Sequence, residues 1–95
     1  MYATVRSYTS DGGLVNALAE NEDAVRDLLT GIDGFRAYYI LRTPGGGAVS
    51  ISIYEDAAGA EASNAAAADW VRANLPDLAA GGPPDTTAGE VAVSF

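Results

Sequence analysis

The chain contains no cysteine, no histidine and no lysine. Without cysteine there are no disulfides, thiolate nucleophiles, iron–sulfur clusters or thiolate zinc sites. Without histidine the chain lacks the commonest metal ligand and the commonest general base. All its cations are arginines, at positions 6, 26, 36, 42 and 72, and these five face thirteen acidic residues for a formal net charge of −8. Such a surface repels phosphate backbones and anionic lipid, so neither nucleic acid nor a membrane surface is an expected partner. Long apolar runs are also missing, and no segment has the length or hydropathy of a membrane-crossing helix. The start, Met1-Tyr2-Ala3-Thr4-Val5-Arg6, enters a strand pattern at once without the basic and apolar regions of an export signal, so the expectation is a cytoplasmic protein.

What is present is periodic. The chain has 95 residues, 48% of them hydrophobic, enough for a single domain over 1–95 with a thin core. Tyr2 to Tyr8 alternates, with Ala3, Val5 and Ser7 against Tyr2, Thr4, Arg6 and Tyr8, and ends in the turn Ser10-Asp11-Gly12-Gly13. Leu14, Leu18, Val25, Leu28, Leu29 and Ile32 then form the apolar stripe of a helix, with Glu22 and Arg26 as an i,i+4 pair and Gly31 as its terminating glycine. Phe35 to Arg42 and Ala48 to Tyr54 read as strands joined by the tight Thr43-Pro44-Gly45-Gly46-Gly47 loop, hence as antiparallel neighbours. Asp56 caps a second, alanine-rich helix from about Ala57 to about Leu75, which Pro76 stops. Ala79 to Gly89 has loop composition, and Glu90 to Phe95 reads as the final strand. The order is β-α-β-β-α-β, a ferredoxin-like α+β sandwich with two helices on one face of a four-stranded antiparallel sheet.

The two faces of that sheet differ. Val49, Ile51 and Ile53, with Val91, Val93 and Phe95, form the face expected under the helices. Ala48, Ser50, Ser52, Ala92 and Ser94 form a small, neutral opposite face, expected to be covered by a second copy of the chain; the alternative is a serine- and alanine-rich face open to solvent.

Three features together resemble the antibiotic biosynthesis monooxygenase domains of the dimeric α+β barrel superfamily. They are the element order, the Gly31-Ile32-Asp33-Gly34-Phe35-Arg36-Ala37-Tyr38-Tyr39-Ile40-Leu41-Arg42 stretch, and the Ser52-Ile53-Tyr54-Glu55-Asp56 junction. The resemblance covers roughly Tyr2 to Leu75 and the last strand. It implies a homodimer with a small pocket between each sheet and its helices. It also implies oxidation of a small aromatic, phenolic or quinol-like metabolite by O₂ without a cofactor, or a non-catalytic binding or stress-associated module of the same fold. Asn64 stands where the heme-degrading branch carries a helix histidine, so the axial ligand for heme iron is missing. The phenol-oxidising branch uses Asn, Trp, Tyr and Arg side chains on its substrate. Asn64, Tyr54 and Trp70 are therefore the candidate catalytic residues, and Tyr38, Arg36 and Arg42 the candidate substrate-binding ones.

Each has a plainer reading. Trp70 is either a pocket roof or the largest packing residue of its helix. Asn64 either faces a pocket or is solvated. Tyr54 either rims a pocket or packs across strands. Tyr38 and Tyr39 are adjacent on a strand, so only one of them can reach the site. Arg36 and Arg42 either recognise an anion or pair with carboxylates. The glycine run at 45–47 joins two strands with no following lysine and is no phosphate loop, and no acidic cluster has metal-site spacing. No metal and no cofactor are expected.

Overall fold

The computed structural model describes residues 1–95. The elements are β1 (Tyr2–Tyr8), α1 (Leu14–Glu20), α2 (Glu22–Thr30), β2 (Phe35–Arg42), β3 (Ala48–Tyr54), α3 (Ala57–Asn74), α4 (Pro76–Ala80) and β4 (Asp85–Glu90). The four strands form one sheet in the order β2-β3-β1-β4, with every pairing antiparallel, which is the ferredoxin-like α+β arrangement. No helix is long and apolar enough to cross a membrane.

Local chemistry sets most of these boundaries. Asp56 caps α3, its carboxylate accepting from Gly59 N at 3.1 Å. Gly59 lets the start of α3 lie against the sheet: a Cβ there would stand 2.8 Å from Tyr54 Cδ1 and 2.9 Å from the Asp33 carbonyl. Glu22 and Arg26 form the expected helical pair at 3.1 Å.

Four sequence expectations are corrected. The first helix is two helices, because Asn21 leaves helical geometry (φ −116°, ψ 30°) and donates its side-chain amide to the Ala17 carbonyl at 2.8 Å, competing with the backbone ladder. Gly31 caps the end of α2 as expected, in right-handed geometry at φ −71°, and Gly34, at φ 85°, makes the left-handed exit turn. The last strand is Asp85–Glu90 rather than Glu90–Phe95, and part of the expected loop is α4. Its registry places Thr4 opposite Ala88 and Arg6 opposite Thr86, a tertiary pairing that overrides the loop composition of this stretch.

The fourth correction concerns the faces. Ala48, Ser50, Ser52 and Tyr54 lie under the helices and are all but inaccessible, while Val49, Ile51 and Ile53 are half-buried on the other side. Cross-strand partners share a face, so Thr4, Arg6 and Tyr38 belong with the serines, and Ala3, Val5, Tyr39 and Leu41 with the valine and isoleucines. Alternation tells which residues share a face but not which face the helices choose. Here α3, whose inward stripe is Ala60, Ser63, Ala67 and Val71, comes close enough for serine to fill the space. The Ser50/Ser52 face is therefore occupied within the chain, and it is not where a second copy binds. The core is thin: 14 of 95 residues are buried and five of those, Thr4, Arg6, Ser50, Ser52 and Ser63, are polar or charged.

Candidate functional site

The buried polar residues converge. Thr4 and Arg6 point from β1 toward α3, where Asn64 Oδ1 accepts from Thr4 Oγ1 at 3.0 Å and from Arg6 Nη1. Arg6 Nη2 donates to Ser52 Oγ at 3.2 Å. Arg6 is 3% exposed, and the ion pairs of the chain, Arg26 with Glu22 and Asp23, Arg36 with Glu55, and Arg72 with Asp69, leave it without a carboxylate. Arg6 Nε and Ser50 Oγ are buried with no hydrogen-bond partner. The Tyr38 hydroxyl is near enough to feel both, but it makes no well-formed bond to either.

Arg6 and Ser50 supply the polar end of a cavity of about 30 Å³ whose walls include Tyr8, Tyr38 and Trp70. A larger apolar groove of about 450 Å³ lies outside it, between α1, α2 and β2, and shares Leu18, Val25, Leu29 and Tyr38 with the inner cavity. Burial pushes the Tyr38 and Tyr8 hydroxyls above their ordinary pKa, against the opposing pull of the Arg6 charge, so both are protonated donors at neutral pH. No group of His, Cys, Asp and Glu is placed to hold a metal ion.

The candidate residues distribute as follows. Tyr38 and Trp70 line the cavity and Asn64 stands behind Arg6. Tyr54 lies away from the cavity: fully buried, it donates its hydroxyl to the Leu29 carbonyl at 2.7 Å and packs edge-on against Phe35, ring centres 5.7 Å apart. Arg36 pairs with Glu55 at 3.0 Å on the surface, and exposed Arg42 donates to Asn16 Oδ1 at 3.1 Å, so neither reaches the cavity. Tyr39 is 57% exposed on the outer face. Sequence reasoning missed Arg6, Thr4, Tyr8, Ser50 and Ser52 as site residues. The available signal was an arginine sharing a strand face with Thr4 and Tyr8 while every other arginine sat near an acid or a strand end.

No family model and no curated protein matches the chain. Solved structures do. They include proteins from Nitrosomonas europaea and Bordetella bronchiseptica provisionally assigned as antibiotic biosynthesis monooxygenases. The fold is that of these monooxygenases. A monooxygenase from the gene ActVA-Orf6 of Streptomyces coelicolor, solved with the ligand Nanaomycin D, is 16% identical over 99% of this chain and 89% of that one, with a TM-score of 0.69. SnoaB, a cofactor-independent oxygenase from Streptomyces nogalater, is 16% identical over 99% of this chain and 95% of that one, with a TM-score of 0.59. A dimeric ferredoxin-like protein from an uncultured marine organism is 18% identical over 99% of this chain and 95% of that one, with a TM-score of 0.67. At these identities the shared property is the fold.

Proposed function

We propose that this chain is a cytoplasmic homodimer that binds a small aromatic, phenolic or quinol-like metabolite between sheet and helices and oxidises it with O₂, without metal or flavin. The observation that carries this reading is the aromatic-walled cavity with a buried polar end, continuous in its walls with an apolar groove of ligand size. In such chemistry the substrate supplies the electrons. One oxygen atom enters the substrate and the other leaves as water. The protein contributes a dry, oriented pocket and hydrogen-bond donors for the negative charge that develops on the substrate. Tyr8, Tyr38 and Ser50 are the donors at hand, and Trp70 with the α1 and α2 leucines excludes water.

The outer sheet face supports the dimer. Val49, Ile51, Ile53, Val5, Tyr39 and Leu41 form an apolar surface on the side the helices leave bare, with Tyr39 57% and Leu41 47% exposed. A thin core makes association a natural way to bury it.

One observation favours the second reading, a non-catalytic binding module: the inner cavity, at about 30 Å³, has room for little more than one small polar group. Oxygen uptake with a panel of hydroxylated naphthalenes and anthrones separates the two. Uptake with stoichiometric product supports the oxygenase; saturable binding without uptake assigns the binding module.

A further inference from the structure

The inner cavity, at about 30 Å³, is too small for a ring, so an aromatic ligand reaches it only when one of its walls moves. The walls differ in how firmly they are held. The sheet is fixed by its ladders, α2 buries Val25 and Leu29, and α3 buries Ala60, Ser63 and Val71. Residues 75–84, the segment that carries α4, bury no side chain. The hydrogen bonds of α4 and its flanks stay within the segment or reach back one turn into α3, as Leu75 N to the Val71 carbonyl does at 2.7 Å, and none joins it to β1, α1 or α2. Apolar contact holds it down: Leu75, Leu78 and Ala79 pack against the cluster of Leu14, Ala48 and Val71, and Leu14 and Val71 are themselves walls of the cavity.

Both ends of the segment are bends. Leu75 leaves helical geometry (φ −135°, ψ 64°) between α3 and α4, and Gly82 stands at φ 101°, where a side chain would be strained, before Pro83 and Pro84 lead into the β4 ladder at Asp85. Under the segment lies a cleft of about 350 Å³ that reaches Ser7 and Thr9, and Tyr8 lines both this cleft and the inner cavity. Leu78 is seated on the turn before α1, where a Cβ at Gly12 would stand 2.8 Å from its Cδ1.

We propose that residues 75–84 form a lid over the inner cavity, latched by Leu78 on the Gly12 turn, which swings about Leu75 and Gly82 to admit the aromatic ligand beside Tyr8. This rests on the aromatic-ligand reading given above and adds the route of entry to it. Opening separates Leu78 from the Leu14 and Val71 cluster and leaves α3 and the sheet in place; closing shuts water out again. The other route, from the apolar groove, has Leu18, Val25, Leu29 and Tyr38 as its shared wall, and two of these, Val25 and Leu29, are the buried anchors of α2.

A disulfide tests this by holding the lid shut. The Cβ positions at Gly12 and Leu78 are 3.3 Å apart, a small shift from the roughly 3.5–4.5 Å that a disulfide spans, and the chain has no cysteine of its own to compete. Binding of 2-naphthol to the Gly12→Cys/Leu78→Cys protein is followed by stopped flow through Trp70, the lone tryptophan and a wall of the cavity. The oxidised protein should bind and release the naphthol about tenfold more slowly than the same protein after reduction, with Kd nearly unchanged, because a gate slows both directions alike. Comparing two redox forms of one variant removes the strain of cysteine at φ 57° from the result. Leu78→Ala, which needs no disulfide, should raise both rates several-fold at nearly constant Kd. Equal rates in the two redox forms, or in wild type and Leu78→Ala, overturn the lid and leave the aromatic pocket standing, entered from the groove; so does a change in Kd with the association rate unaltered. Failure of the wild type to bind 2-naphthol overturns both.

Discussion

The two faces of the sheet invert the usual distribution of polarity. The face under the helices carries Thr4, Arg6, Ser50 and Ser52, buried almost completely, while the face the helices leave bare carries Val5, Tyr39, Leu41, Val49, Ile51 and Ile53. Polar groups inside a thin core lower its stability, and apolar groups outside it invite association. A chain selected for monomer stability alone would exchange the two sets. The arrangement makes sense if each face has a partner, a ligand on the inside and a second copy on the outside. Thr4, Arg6 and Ser52 are accordingly held by specific hydrogen bonds, and the outer residues form a broad surface with no directional contacts.

The sharpest way to break the comparison is to place the same charged residue on neighbouring positions of β3. Ser52→Arg would force a second guanidinium beside Arg6 at a site with no accessible surface. An uncompensated buried charge with overpacking costs about 3–5 kcal/mol or more, comparable with the whole stability of a small domain, and the variant should not fold. Ile51→Arg puts the charge on the outer face. It should keep the circular-dichroism spectrum of the wild type while light scattering falls from about twice the 9.7 kDa chain mass to that mass. A wild type that is already monomeric at high micromolar concentration would remove the outer partner from the argument.

A smaller effect separates packing from polar satisfaction on the inner face. Asn64→Ala removes the acceptor shared by Thr4 and Arg6 and should cost about 1–3 kcal/mol in denaturant unfolding, the penalty for leaving buried donors unpaired. The sequence alone allows Asn64 to be either a pocket residue or a solvated one, and both would leave stability nearly unchanged. Its geometry assigns it a third position, behind the cavity. An unchanged unfolding midpoint would mean that water replaces it and that Arg6 is not held by it.

Strand and helix periods made β1, β2, β3 and α3 legible, because each has a strong pattern and a clear stop, such as Asp56 before α3 and the glycine loop after Arg42. β4 was not legible. Asp85-Thr86-Thr87-Ala88-Gly89 has loop composition, every residue of β4 is exposed, and the strand exists through its ladder to β1. The faces were misassigned for a different reason: hydrophobicity nominates the more apolar face as interior, and here the helices cover the more polar one. The site shows the same split. Tyr38 and Trp70 are conspicuous by type, whereas the weaker signal at Arg6, an arginine away from acids and strand ends, gains its meaning once the helices are known to cover the serine face. Tyr54, prominent in the sequence, instead spends its hydroxyl on the Leu29 carbonyl.

The smallest expected effect is a pH dependence confined to the inner face. Burial raises the pKa of Tyr38 and Tyr8 above the ordinary tyrosine value of 10.0, and the Arg6 charge opposes this without reversing it. The titratable and charged groups facing Tyr38 are Tyr8 and Arg6 on β1, together with Glu22 and Arg26 of α2 at the groove. A folded-state pKa above that of the unfolded chain means the folded protein binds the proton more tightly. Stability is therefore full below about pH 10 and declines as the pH rises through the folded pKa, because the unfolded chain ionises first. Melting temperatures between neutral pH and the alkaline range should show that decline in the wild type. The decline should be weaker in Tyr38→Phe, which has no hydroxyl to ionise. If Arg6 instead dominated Tyr38, its pKa would lie below the unfolded value and wild-type stability would gain from its ionisation as the pH rose toward 10. The sign of the slope thus reports which influence, burial or the unpaired arginine, controls the inner face.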